Sequence, residues 1–303
     1  MISQKKSGWI VLEKPENISS NKCMCKLRSI LKQKTGYVGT LDPFAQGVLP
    51  IAIGDACKFI QFVNDVKKEY IFSIKFGEET NTLDRTGIIV QHSDNIPKIE
   101  EISNILKLFL GEIKQTPPIF SAVKVNGVRA YKLARKGKEN IEIKSRNVNI
   151  FELEILQDNL IQENTVTLRC MCSKGTYIRS LARDIAKHLN TCSHVVYLRR
   201  TFVNFIDLSN PLSFDKLSSV EYNEKIEQFI LPCESALDDI PALTLDDQVA
   251  SRLQKGQRVF LESLESYIDG SKFKIFGKHN NVFYGVCETD SSGKILVPLR
   301  MIV

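Results

Sequence analysis

Tryptophan occurs once in the 303 residues and histidine only four times, and no apolar run approaches the length of a membrane span. A helix crossing a bilayer needs about 20 predominantly apolar residues, so no helical span is expected. The one apolar patch near the N-terminus, Trp9 to Leu12, is cut off by Glu13 and Lys14. An export signal needs about 7–15 apolar residues, so the chain is expected to stay in the cytoplasm. Metal-ligand spacings are missing too. The eight cysteines include two Cys-x-Cys pairs, Cys23/Cys25 and Cys170/Cys172, but no Cys-x-x-Cys cluster. That spacing fails the usual zinc templates, and in a reducing compartment the thiols stay unpaired. Gly-x-Gly-x-x-Gly runs, P-loops, internal repeats and low-complexity tracts are also absent. Dinucleotide-binding, P-loop and repeat classes are therefore set aside.

What is present is a chain with a real core. It is 43% hydrophobic and 25% charged, with 41 basic against 35 acidic side chains and a formal net charge of +6. This mild basic excess suits a polyanionic partner. Periodicity predicts a helix over residues 20–33, with Ser19 or Ser20 as its cap, and a half-buried strand over 70–76. It predicts a helix over 97–111, with Pro97 in the first turn and Gly111 as its stop, and a tight turn at Asn126-Gly127. A short basic helix is expected after that turn, strands over 148–156 and 165–172, and a helix over 176–189. Cys170 and Cys172 fall on the inward face of their strand. A less patterned connection runs from about 207 to 240, and short β-like pieces punctuated by Gly and Asn follow from about 245. The fold class is therefore α+β, with a large domain over 1–240 and a small all-β domain over 241–303.

Residues 36–54 read GYVGTLDPFAQGVLPIAIG, where Asp42 is the lone charge in an apolar frame of glycines and prolines. On local grounds two readings stay open. Asp42-Pro43 has the form of a helix start, a carboxylate cap before a first-turn proline. The alternative is a reactive carboxylate, because a dry setting makes such a group responsive to one chosen partner. Asp42 is the one candidate carboxylate in this block, whereas glycosidases use two.

The stretch GTLDPFAQGVLPIAIGDACKF closely resembles the signature of the TruB family, bacterial tRNA pseudouridine synthases acting on uridine-55 of the TΨC loop. LEKPENISSNK, KKEYIFSIKFGEETNTLDRTGIIV, QTPPIFSAVKVNGVRAYKLARKG, CSKGTYIRSLARDIAKHL and HVVYLRRT resemble further motifs of that family, in family order. The resemblance implies a pseudouridine synthase-type catalytic domain, with a mixed or antiparallel sheet and flanking helices. It also implies a β-rich, PUA-like C-terminal domain that binds RNA. The implied activity is redox-neutral isomerisation of a uridine in tRNA: the glycosidic bond breaks and the base rejoins through C5, with no cofactor and no metal. The expected partner is the TΨC stem-loop of tRNA, with no membrane, and the protein is expected to be a monomer.

By the same resemblance Asp42 is the essential aspartate, Arg179 pairs with it, and Tyr70 lies against the target base. Tyr37, Tyr177, Leu198, Lys58 and Lys14 match substrate-binding positions. Tyr37 stands where the family usually has histidine, and Asn17 where it usually has glycine. A basic insertion over about 120–145 carries Lys124, Arg129, Lys132, Arg135, Lys136 and Lys138, with Tyr131 among them. Basic residues of this kind meet phosphates and supply affinity without sequence information. Lys124, Arg129, Lys132 and Arg135 are the expected RNA-backbone contacts, apart from the reacting pocket.

Overall fold

The structure is a computed structural model that describes residues 6–63, 67–137, 142–159, 163–204, 206–207, 210–219, 225–261 and 269–302. Lys138 lies outside the described residues. Strands β1 (Gly8–Lys14), β2 (Thr35–Tyr37), β3 (Gln46–Ile53) and β4 (Lys68–Phe76) are followed by a small hairpin, β5 (Glu78–Thr80) and β6 (Ile89–His92). Next come β7 (Gly111–Gln115), a second hairpin of β8 (Lys124–Val125) and β9 (Val128–Arg129), then β10 (Arg146–Asn159) and β11 (Thr165–Cys172). The strands β12 (Ser193–Val203), β13 (Ile206–Asp207) and β14 (Leu212–Ser213) complete this part. Ten of these strands form one mixed sheet in the order β14-β1-β3-β12-β4-β11-β10-β7, with β2 on β3 and β13 on β12. Its pairs are antiparallel except β1–β14 and β3–β12.

Helices α1 (Ser20–Leu31), α2 (Ile99–Leu106), α3 (Ala130–Ala134) and α4 (Ile178–His188) flank the strands. Alternation in β4 turns Phe72, Ile74 and Phe76 inward, and β11 adds Val166, Leu168, Cys170 and Cys172. Against them α4 lays Ile178, Leu181 and Ile185 at helical spacing. Burying each such large apolar side chain contributes about 1.5–3 kcal/mol, which fixes the start of α4 over the sheet. Ser19 caps α1, accepting a hydrogen bond from Lys22 N at 3.2 Å.

Two elements differ from the expectation. The predicted helix over 97–111 is α-helical only over α2, then tightens into a 3-10 turn, and Gly111 opens β7 with φ +81°. Pro97 stands before the helix, whose cap residue Lys98 donates its N–H to Glu101 at 2.7 Å. The C-terminal part is not all β. Strands β15 (Ala242–Leu245), β16 (Val259–Phe260), β17 (Lys272–Gly277), β18 (Phe283–Thr289) and β19 (Ile295–Met301) pair in the order β15-β17-β18-β19-β16. They carry one helix, α5 (Asp247–Gln254), whose N-cap Asp246 accepts from Gln248 N at 2.9 Å. The acidic cap and the spacing of Ala250 and Leu253 are too short a signal to stand out between strands. This sheet packs onto the first, with the rings of Phe283 and Phe59 5.3 Å apart.

Candidate active site

The loop between β2 and β3 carries Asp42. It starts no helix: Ala45 N–H donates to Asp42 O at 3.1 Å, closing a tight turn with Pro43 at its second position. The capping reading of Asp42 is thereby set aside. Leu41, Phe44 and Ala45 plug into the core, while Asp42 is partly exposed, Pro43 is exposed, and both line the adjoining cavity.

Three buried side chains fix this loop. Ser20 Oγ of α1 brackets Leu41, donating to its carbonyl at 3.0 Å and accepting from its N–H at 2.9 Å. Arg200 of β12 donates to Gly39 O at 2.9 Å and to Val48 O at 2.8 Å. Lys14, fully buried, donates to Pro15 O, Ile18 O and Pro43 O at 2.8, 2.7 and 3.1 Å. Gly47 lets β3 run against β12: with φ +107°, a Cβ there would meet Arg200 O at 2.0 Å. Gly39, at φ +70°, leaves the space that Arg200 Nη1 and Lys68 Nζ occupy. The glycine frame is therefore a packing requirement of a loop pinned close to two neighbours.

Arg179 rises from the first turn of α4. Its Nε lies 2.8 Å from Asp42 Oδ2, a close ionic contact whose N–H is not aligned as a hydrogen bond. Nη1 donates to Thr82 O at 2.7 Å and lies 3.4 Å from Asp84 Oδ2; Nη2 donates to Phe120 O at 3.0 Å. Arg179 is only 3% exposed, Asp84 6% and Asp42 33%. One guanidinium thus ties the Asp42 loop, the Thr82–Thr86 turn and the segment before β8. Asp84 is held in turn by Thr82 Oγ1 and by Thr86 N–H, each donating at 2.9 Å. Although part of Asp42 faces solvent-filled space, surrounding protein dominates: burial raises its pKa above the ordinary carboxylate value, Arg179 opposes the rise and Asp84 adds to it.

Asp42 and Arg179 sit between two joined cavities. The larger, about 540 Å³, is lined by Tyr37, Phe120, Thr86 and Asp84, and also by Arg129, Tyr131 and Arg135. The smaller, about 270 Å³, is lined by Tyr70, Tyr177, Ile178 and Leu198, with Lys68 and Arg146. Burial, opposed by Arg200, pushes the Tyr70 phenol up to about 12, so the hydroxyl stays protonated. Gln115 positions Tyr177 with two hydrogen bonds, accepting from its N–H at 2.8 Å and donating to its carbonyl at 3.1 Å.

The structure brings together Asp42, Arg179, Tyr70, Tyr177, Leu198 and Tyr37, but not the two lysines expected beside the substrate. Lys14 has no exposed surface; its ammonium, lowered to about 8 by burial, anchors the loop through Pro43 O. Lys58 pairs with Asp55 at 2.7 Å and donates to Met301 O at 3.0 Å, at the junction with the C-terminal sheet. Arg129 and Arg135 are not apart from the pocket, because the β8–β9 hairpin and α3 form a wall of the larger cavity. Lys124 and Lys132 are exposed and line neither cavity. Asp84, Lys68, Arg146 and Gln115 are not among the residues singled out from the sequence, although Lys68, Asp84 and Gln115 fall within the stretches that resemble family motifs.

The pattern described as TruB family pseudouridylate synthase (N terminal domain) matches residues 28–178. Two C-terminal patterns, tRNA pseudouridylate synthase B C-terminal domain and pseudouridine synthase II TruB, C-terminal, match 179–238 and 241–302. The tRNA pseudouridine synthase B of Caulobacter vibrioides is 43% identical, the match covering 97% of this chain and 96% of that one. The chain belongs to the TruB family. A second TruB relative, the tRNA pseudouridine synthase B of Zymomonas mobilis, is 42% identical over 86% of each chain. The TruB architecture extends to more distant solved structures. A chain of an H/ACA ribonucleoprotein bound to a substrate RNA shares the fold at a TM-score of 0.72 and 21% identity, over 97% of this chain and 84% of that one. A chain of an archaeal box H/ACA complex does so at 0.70 and 22%, over 98% and 84%.

Proposed function

We propose that the protein isomerises uridine-55 of tRNA to pseudouridine, with Asp42 as the reacting carboxylate. The observation that carries this reading is the Asp42–Arg179 contact at the junction of two cavities, one walled by Tyr70, Tyr177 and Leu198. A uridine must leave the RNA stack to be worked on, and aromatic walls offset part of that cost. Tyr70 supplies the face against the base, Tyr177 and Leu198 close the slot, and Tyr37 borders the larger cavity where RNA enters. Arg179 orients Asp42 and opposes the burial that favours its protonated form. Lys124, Arg129, Lys132 and Arg135 meet RNA phosphates, and Arg129 and Arg135 do so at the cavity itself.

The domain over 1–240 carries the chemistry and the PUA-like domain over 241–303 extends the contact with the TΨC stem-loop. The protein works as a cytoplasmic monomer without cofactor or metal. None of its described helices is long and apolar enough to cross a membrane.

A glycosidase reading gains a second carboxylate from Asp84, but Asp84 is committed to Arg179, Thr82 and Thr86. Mass spectrometry of an unmodified tRNA transcript incubated with the protein separates the two. Isomerisation leaves the RNA mass unchanged and yields a new nucleoside on digestion; hydrolysis removes the mass of the base.

A further inference from the structure

Lys68 and Arg146 both line the smaller cavity, together with Tyr70, Tyr177, Leu198 and Asp42. Among the described residues neither side chain has an ion-pair or hydrogen-bond partner, whereas Arg179 is tied to two carboxylates and two carbonyls. Arg146 Nε is buried with no acceptor, and its guanidinium lies over the Tyr177 ring at 4.7 Å. Lys68 and Tyr70 alternate onto the same face of β4, so ammonium and phenol ring open on one compartment. Lys68 Nζ stands against Gly39 beside Arg200 Nη1, a second buried nitrogen without an acceptor. Asp42 is the one carboxylate lining this compartment, and it already meets Arg179. The compartment is therefore electropositive on the side away from Asp42.

We infer that Lys68 and Arg146 stabilise the uracil as an anion during the interval in which it is detached from the ribose. This rests on the isomerase reading. When the C1′–N1 bond breaks, its electron pair leaves with N1, so the base carries a negative charge shared with its carbonyl oxygens. C1′, left an electron pair short, is balanced by the ribose ring oxygen and the Asp42 carboxylate beside it. The charge on the base ends when C5 bonds to C1′ through its electron pair; C5 then gives up its proton and N1 gains one. Oriented charges at the place where charge develops lower the barrier most in a water-poor site. Burial, with Arg200 next, lowers the Lys68 ammonium to about 8, so its charge is held at a cost that an anion beside it offsets. The planar Arg146 group extends the Tyr177 wall and suits the edge of a flat ring. The exposed Lys124 and Lys132, by contrast, have the open setting that phosphates need.

The test compares Lys68→Met, Arg146→Met and Lys68→Arg with the wild-type protein, using unmodified tRNA transcript. Filter binding gives Kd, single-turnover assays at saturating tRNA give the rate, and thermal melting reports folding. Expected for each Met variant is a saturating rate lower by about 100-fold, the usual effect of removing one charge-stabilising donor, with Kd within about twofold. Lys68→Arg, which keeps the charge, should recover most of that rate. Weakened Kd with an intact saturating rate would overturn the inference and assign the pair to a backbone phosphate. Intact rate and Kd would overturn it outright, and so would a rate loss that Lys68→Arg shares in full. A Met variant that melts early is judged by Lys68→Arg and by the other Met variant. A wild-type protein that makes no pseudouridine would instead remove the isomerase reading beneath it.

Discussion

Arg179 Nη1 lies 3.4 Å from Asp84 Oδ2, while a different nitrogen of the same guanidinium meets Asp42. Asp84 therefore sets where Arg179 stands, and Arg179 sets where Asp42 points. Asp84→Asn should keep the shape of the turn but remove half of the charge facing Arg179. Breaking a buried pair in this way costs about 3–5 kcal/mol, so melting temperature should fall by several degrees. The saturating rate should drop more than tRNA affinity, because Asp84 acts through Arg179, the partner of Asp42. An unchanged melting temperature and rate would show that Asp84 has no hold on Arg179.

Arg179→Lys keeps one positive charge but loses the fork that reaches Asp42, Asp84, Thr82 O and Phe120 O together. The expected result is a kcat lower by about 100-fold, with modest change in tRNA affinity. Wild-type turnover in the Lys variant would mean that a point charge suffices.

The pH dependence follows from Asp42. Burial raises its carboxyl above the ordinary value and Arg179 opposes that rise. If the ionised form reacts, the rate is full above the raised pKa and falls as pH drops through it. Removing the opposing charge in Arg179→Gln should move that acid limb to higher pH. Single-turnover rates over a pH series measure it, and a limb that stays in place would contradict the electrostatic coupling.

In the basic segment over 124–135 the two classes of residue should separate. Lys124→Gln with Lys132→Gln should weaken every tRNA alike and flatten the salt dependence by about 0.7–0.9 in slope per lost phosphate contact. Their saturating rate should survive. Arg129→Gln and Arg135→Gln should also lower that rate, because both side chains line the cavity that reaches Asp42. Equal behaviour of all four would mean that the cavity wall carries no more than affinity.

Local patterns made much of this molecule legible. The alternation of β4, the Ser19 cap and the inward Cys170 and Cys172 follow from period and residue type alone. The Asn126-Gly127 turn has positive φ at both residues, 48° and 81°, and Asn17 takes the left-handed backbone at 61°. What stayed hidden depends on distant partners. The parallel pairing of β3 with β12 cannot be read from either strand. Asp84 sits in a stretch that reads as a surface turn, and only Arg179, from another element, makes it a buried anchor. Lys14 reads as an exposed cation until three carbonyls from two loops are seen around its ammonium. The resemblance to the TruB family supplied the Asp42–Arg179 pair; on local grounds Asp42 stays open between a helix cap and a reactive carboxylate.

The most direct measurement is pseudouridine mapping on an unmodified tRNA transcript by carbodiimide treatment and primer extension, with Asp42→Asn beside the wild-type protein. One stop at uridine-55 is expected with the wild type and none with Asp42→Asn, while the variant still binds tRNA within about tenfold, or 1.4 kcal/mol. A stop of comparable intensity with Asp42→Asn, or none with the wild type, would contradict the assignment of the chemistry to Asp42.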